Sequence, residues 1–150
     1  MIGIDTNILI YARVKSSTWH VPAVAFLESL RARRDVAIAE LVLVEFYLAL
    51  RNSVIMDPPL SPKAAVKECS LFREHPHWPL IENAEVMHEV WSFAGKPQFA
   101  RRRIMDVRLA KTLIAHGVTE FATANLRDFQ DLGFSRVWNP LAGHTETLKS

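Results

Sequence analysis

Apolar residues in this chain come in short bursts, each followed by a longer stretch with helical spacing. The first burst, Met1-Ile2-Gly3-Ile4, is too short for a helix and suits a buried strand. It stops at Asp5-Thr6-Asn7, after which Ile8, Leu9 and Ala12 take up helical spacing, so Asp5 marks a strand-to-helix junction. The same step recurs along the chain. After a polar turn over 15–20, Val21-Pro22 opens a helix with Val24, Leu27 and Leu30 on one face, proline being suited to a first helical turn. Val36 to Ala39 is a short strand leading into a helix whose stripe is Leu41, Val44, Glu45, Leu48 and Ala49. Ser61-Pro62 begins another helix, with Ala65, Val66, Cys69 and Phe72 on its inner face. Trp78 to Ile81 reads as a weak strand, and Asn83 as the cap of a helix carrying Val86, Met87, Val90 and Trp91.

The second half continues the pattern. Gly95 to Arg103 is a loop, and Ile104 starts a helix that runs to Gly117, a good C-terminal stop. Glu120 to Ala124 is a strand halted at Asn125, Leu126 to Leu132 a short helix or turn, and Arg136 to Trp138 a last strand. Strands alternating with helices predict an α/β fold with a mainly parallel central sheet and helices on both faces. The expected organisation is one domain over 1–141 and a flexible C-terminal tail over 142–150.

Composition narrows the class. A chain of 150 residues that is 49% hydrophobic suits one domain with a substantial core. No apolar run approaches the length of a membrane span, and Met1 leads directly into a strand rather than a basic signal segment, so a cytoplasmic location is expected. The single cysteine, Cys69, fits a reducing compartment. A formal charge of +2 permits a polyanionic partner without specifying one.

The carboxylates change this picture most. Asp5 lies at the carboxyl end of a strand, where open α/β sheets bind ligands, although a helix cap explains it equally well. Glu45 lies along the apolar stripe of its helix, and Asp106 has Leu109, Ala110 and Leu113 at i+3, i+4 and i+7, so neither acid is expected on a solvent face. A lone carboxylate so placed costs several kcal/mol unless it is paired, protonated or bound to a cation. Asp5, Glu45, Asp106 and Asn125 are therefore expected to converge on one crevice. An oxygen-only set with no histidine or cysteine suits Mg²⁺, with Mn²⁺ as a substitute. Such an ion activates water and neutralises charge on a phosphoryl group, the two needs of phosphodiester hydrolysis. The competing expectation is separate ion pairs with Arg51, Arg102 or Arg108. Asp128 is open as a fourth ligand in place of Asn125, or as a cap.

Asp5-Thr6-Asn7 after a starting strand, Glu45 in LVLVEFYLAL, Asp106 in IMDVRLAKTLIAHG and TANLRDF at 123–129 together resemble the PIN domain, specifically the VapC toxins of bacterial toxin–antitoxin pairs. The resemblance covers nearly the whole chain. It implies a Mg²⁺-dependent endoribonuclease acting on tRNA, rRNA or mRNA, held in check by a small cognate antitoxin and assembled as a homodimer through helices of the first half. Carried over by position, Asp5, Glu45 and Asp106 are the core acids, and Asn125 stands where many members have a fourth aspartate. Thr6, Asn7 and Thr123 are the supporting polar neighbours. Lys96, Arg101, Arg102, Arg103 and Arg108, with Lys111, are expected to rim the crevice and hold phosphates, with Phe99 free to stack on a base. Trp19, Phe26, Phe46, Tyr47 and the run Val54-Ile55-Met56 are available for protein surfaces, though core packing accounts for most of them. Two other readings stay open: a PIN-like module that binds RNA or antitoxin without cutting, and an aspartate-based phosphatase, whose second acid would fall where this chain has Asn7. His75-Pro76-His77 reads as a loop, and no glycine-rich phosphate loop is present.

Overall fold

A computed structural model describes residues 1–143 and the backbone of Thr147–Leu148. The elements follow the expected alternation: β1 (Ile2–Ile4), α1 (Thr6–Arg13), α2 (His20–Leu30), β2 (Val36–Ala39), α3 (Glu40–Leu50), α4 (Pro62–Arg73), β3 (Leu80–Ile81), α5 (Met87–Ala94), α6 (Arg103–Ala115), β4 (Glu120–Ala122), α7 (Leu126–Phe129), β5 (Arg136–Trp138) and β6 (Thr147–Leu148). The sheet order is β3-β2-β1-β4-β5-β6, with β1 to β5 parallel and β6 antiparallel to β5. All of β1 and β2 is buried, as parallel strands covered on both faces must be. Thr147 pairs with Trp138 and Leu148 with Val137, so this part of the expected tail lies against the sheet edge. The rest of that stretch, 144–146 and 149–150, lies outside the described residues. No helix among the described residues is long and apolar enough to cross a membrane.

Strand order places the site. From β1 the chain steps outward to β2 and β3 on one side, then returns to β4 and β5 on the other. The gap beyond the carboxyl ends of β1 and β4 is thus a topological switch point, where open α/β sheets leave a crevice. Ile4 pairs with Ala122, and the Asp5 amide donates to the Ala122 carbonyl at 3.0 Å, so Asp5 and Thr123 leave the sheet side by side.

The core holds these strands close to their helices. Gly3 sits in a tight place: a Cβ there would meet Phe121, Leu113 and Val118 side-chain carbons at 3.1–3.2 Å, so these side chains would have to shift by a few tenths of an ångström. Phe121 is fully buried, stacked on Phe134 with ring centroids 5.0 Å apart and tilted against Phe129 at 4.6 Å. Phe121→Ala should therefore lower the unfolding free energy by about 3–5 kcal/mol, the transfer and cavity cost of a buried ring. Urea denaturation checks this; a loss below about 1 kcal/mol would show that the cluster collapses around the gap.

Several helix faces differ from the expected ones. In α3 the buried side is Val42, Leu43, Phe46, Ala49 and Leu50, whereas Val44, Glu45 and Leu48 are exposed. ELVLVEFYLAL is apolar nearly all round, so its periodicity does not fix which side turns inward. Phe46 is accordingly core rather than partner surface. In α4 the inner residue is Ala65 and Val66 is 55% exposed; in α2 Val24 is exposed. Helix α5 starts at Met87 with Val86 as its cap, not Asn83, and buries Val90 while Met87 and Trp91 face outward. Asn83 instead accepts from Arg108 Nη2 at 3.5 Å.

Candidate active site

Asp5 takes the capping role that the sequence left open, and its second oxygen is held by residues across the crevice. Its Oδ1 accepts from the Thr6 amide at 2.7 Å, capping α1, while its Oδ2 accepts from Thr123 Oγ1 at 2.6 Å and from Asn7 Nδ2 at 3.2 Å. Asn7 also ties the start of α1 to the segment after β4: its Oδ1 accepts from the Ala124 amide at 3.2 Å and its Nδ2 lies 3.4 Å from Thr123 Oγ1. Thr123, fully buried, accepts in turn from the Asn125 amide at 2.9 Å. From the α1 side, Thr6 Oγ1 donates to Glu45 Oε2 at 2.9 Å, fixing an otherwise exposed carboxylate of α3 beside the end of β1. Asn125 Nδ2 donates to Asp128 Oδ2 across one turn of α7.

Asp5, Thr6, Asn7, Glu45, Asp106 and Asn125 line one open cavity of about 440 Å³, together with Ile10, Leu48, Ala49, Asn52, Ile55 and Phe129. Asn52 and Ile55 were not anticipated; they follow the C-terminus of α3 in a turn whose sequence carries no chemical signal. Among the described residues none of Asp5, Glu45, Asp106 and Asp128 has an ion-pair partner, the salt bridges lying elsewhere, as in Arg13–Glu68 and Arg73–Glu40. Of the arginines proposed as structural partners, Arg51 donates to Tyr47 Oη and Arg108 to Asn83.

The electrostatics follow from this crowding. Asp5 is pushed up to about 6, chiefly by burial and further by Glu45 and Asp128, against the lowering hydrogen bonds of Thr123 and Thr6. Asp106, half-buried on the first turn of α6, is pushed up to about 7 by burial and then by Asp128, Asp5 and Glu45, with Arg103 opposing. Carboxyls lifted this far mark a cluster with an unmet demand for positive charge. Among the described residues no three acidic, histidine or cysteine side chains already stand close enough to cage one ion. A cation bound here would therefore be held by one or two of the carboxylates, with water completing its shell.

A PIN-domain family model matches residues 2–135. The chain is 51% identical over 141 residues to Ribonuclease VapC24 of Mycobacterium tuberculosis, covering 94% of this chain and 97% of that one. The chain belongs to the PIN-domain family of VapC ribonucleases. Its fold is that of solved VapC structures. The crystal structure of Mycobacterium tuberculosis VapC20, described as a sarcin-ricin loop cleaving toxin, matches with a TM-score of 0.66 at 16% identity, over 89% of this chain and 96% of that one. VapBC2 from Rickettsia felis, bound to a DNA fragment from its promoter, matches with 0.59 at 17% identity, over 93% and 100%.

The basic residues depart from the expected rim of this VapC-family pocket. None of Lys96, Arg101, Arg102, Arg103 and Arg108 lines the acidic cavity. Arg103 comes nearest in effect: it lowers Asp106, and its Nε and Nη2 donate to the carbonyls of Asp128 and Gln130 at 3.4 and 3.3 Å. Lys96 sits over the Phe93 ring, 4.1 Å from its centroid, and Arg101 and Arg102 are exposed in the turn before α6. Lys111 is tied to Glu89 and the Leu132 carbonyl, and Phe99 packs against the core. His75 stacks on Trp78 at 4.2 Å and accepts from the His77 amide at 3.1 Å, as befits a loop.

Proposed function

We propose that this chain is a Mg²⁺-dependent endoribonuclease, the toxin of a type II toxin–antitoxin pair. The observation that carries the reading is the convergence of Asp5, Glu45, Asp106 and Asn125 on one cavity, with no cation paired to the acids among the described residues. Asp5, Glu45 and Asp106 would hold Mg²⁺, or Mn²⁺ in its place, through one or two direct carboxylates with the remainder reaching it through bound water. When bound, the ion activates a water and offsets charge on the scissile phosphate. The protein's share is orientation. Thr123 and Asn7 hold Asp5 through its Oδ2, and Thr6 holds Glu45, so the ligand oxygens are steered by partners that cannot compete as cations. The Asn125 amide donates to Asp128, which supports Asp128 rather than Asn125 as the fourth acid and weighs against a non-cutting binder. Asn7, occupied by Asp5 and Ala124, leaves no second acid for a phosphatase.

RNA approaches over the turn holding Arg101 and Arg102, with Arg103 and Arg108 behind it on α6 and Lys96 beside it. The partner reading, a small antitoxin, is supported by structural relatives solved as toxin–antitoxin assemblies, including one from Klebsiella pneumoniae. A homodimer would use the exposed Val44 and Leu48 of α3 and the 91%-exposed Val54, of which Leu48 also lines the cavity. A cytoplasmic location goes with an RNA substrate.

Purified protein with Mg²⁺ and labelled RNA tests the reading. Cleavage should occur, stop in EDTA and be lost in Asp5→Ala. Activity that survives both changes would reject the metal mechanism, and clean protein that cuts no RNA would reject the nuclease.

A further inference from the structure

We propose that the pocket at the start of α6 is a guanine subsite that receives the nucleotide next to the scissile phosphate. The proposal rests on the ribonuclease reading. The pocket has a volume of about 320 Å³ and is walled by Phe93, Lys96, Gln98, Phe99, Arg103 and Asp131. Two cations, an amide and a carboxylate around a base-sized space walled by two rings are parts that can hydrogen-bond the edge of an unstacked base in single-stranded RNA.

The cations are held in place. Lys96 Nζ and Lys111 Nζ lie 4.1 and 4.9 Å from the centroid of the same Phe93 ring, and Arg103 is anchored by the Asp128 and Gln130 carbonyls. Gln98 and Asp131 are non-glycine residues with positive φ, 63° and 64°, and both belong to this one pocket. Left-handed backbone in such residues is uncommon and tends to gather at ligand sites. Among the described residues neither side chain has a hydrogen-bond or ion-pair partner, so both are available to a ligand.

This combination selects guanine. A carboxylate offers two acceptor oxygens side by side, and guanine alone among the four bases presents two adjacent donors, N1–H and the N2 amino group, to match them. Its O6 and N7 are acceptors suited to lysine or arginine. Adenine and cytosine bring one amino group, and uracil one N–H. Position supports the assignment: Arg103 is three residues before Asp106, so the two side chains neighbour each other on α6 and the pocket lies one helical turn from the acidic cavity.

The test is fluorescence anisotropy of the full chain in EDTA, with labelled hexauridine and the same hexamer carrying one guanosine or one adenosine. The guanosine hexamer should bind about tenfold more tightly than the other two, the discrimination of one good bidentate contact. Asp131→Asn, which keeps a residue tolerant of left-handed backbone, should erase that difference without weakening hexauridine. Equal binding of the three hexamers, binding of none, or a preference that survives Asp131→Asn overturns the subsite. The nuclease reading is scored separately by cleavage in Mg²⁺: cutting without base preference removes the subsite alone, and base preference without cutting removes the nuclease alone.

Discussion

Asp106→Asn is expected to cut RNA cleavage severely and, in the same variant, to raise the melting temperature of the metal-free protein at pH 8. Both effects have one cause. Burial and the charges of Asp128, Asp5 and Glu45 lift the Asp106 carboxyl to about 7, so at pH 8 it is ionised in surroundings that oppose ionisation. Its place on the first turn of α6 and the nearby Arg103 relieve this only in part. Asparagine has nearly the same volume and no charge, so the repulsion vanishes and no cavity forms. Each kcal/mol released should appear as about 2–4 °C in melting temperature for a chain of this size. Cleavage should fall about a thousandfold, because a lost cation ligand forfeits several kcal/mol of charge stabilisation on the phosphoryl group. Kinetics in Mg²⁺ and thermal melts in EDTA check the two halves. A variant less stable than the parent at pH 8 would show that Asp106 is held by a favourable contact instead, and the opposition between function and stability would fail.

Such an opposition is what made the site visible in the sequence. Asp5 and Asp106 interrupt apolar patterns, and an ionisable group in that position is informative whatever the fold. The strand-to-helix steps were equally legible, because β1, β2 and β4 are brief apolar bursts closed by polar residues. Glu45 was found for a partly mistaken reason. It does not lie on the buried face of α3; it stands on the exposed side and is drawn to the site by Thr6. That contact spans 39 positions and depends on which strands are neighbours, which local spacing does not encode. The Thr123–Asp5 bond, spanning 118 positions, is hidden for the same reason. Asn125 and Asp128 are three apart, so their pairing was within reach of a helix-spacing argument. The basic residues show the reverse error. Their clustering before Asp106 was plain, but whether a long side chain reaches a cavity depends on its anchors, and Lys96 and Arg103 turn to Phe93 and to backbone carbonyls.

The metal-free protein should lose stability as pH rises from about 4 through 7, and Mg²⁺ should restore it at the upper end of that range. The ordinary aspartate value is 3.8, while folded Asp5 stands at about 6 and Asp106 at about 7. Between these values the unfolded chain has released protons that the folded chain still holds, so each rise in pH favours unfolding. Below 3.8 both states are protonated and nothing is lost; above about 7 the penalty is complete and constant. His75 works the other way. Burial, His77 and Arg31 hold its imidazole below the ordinary 6.5, so it adds stability as pH rises towards that value. Subtracting the pH profile of Asp106→Asn cancels this contribution and isolates the acid's own slope. If the ionised carboxylates bind Mg²⁺ as proposed, the ion must displace protons at low pH, so its effect should be small at pH 5 and large at pH 8. At a hundredfold excess over its dissociation constant it adds about 2.7 kcal/mol. Urea midpoints from pH 5 to 8 at constant ionic strength, in EDTA and then in MgCl₂, make the measurement. If the wild-type minus Asp106→Asn difference is flat across this range, or Mg²⁺ stabilises equally at both ends, the acids are not the cation-demanding cluster described here.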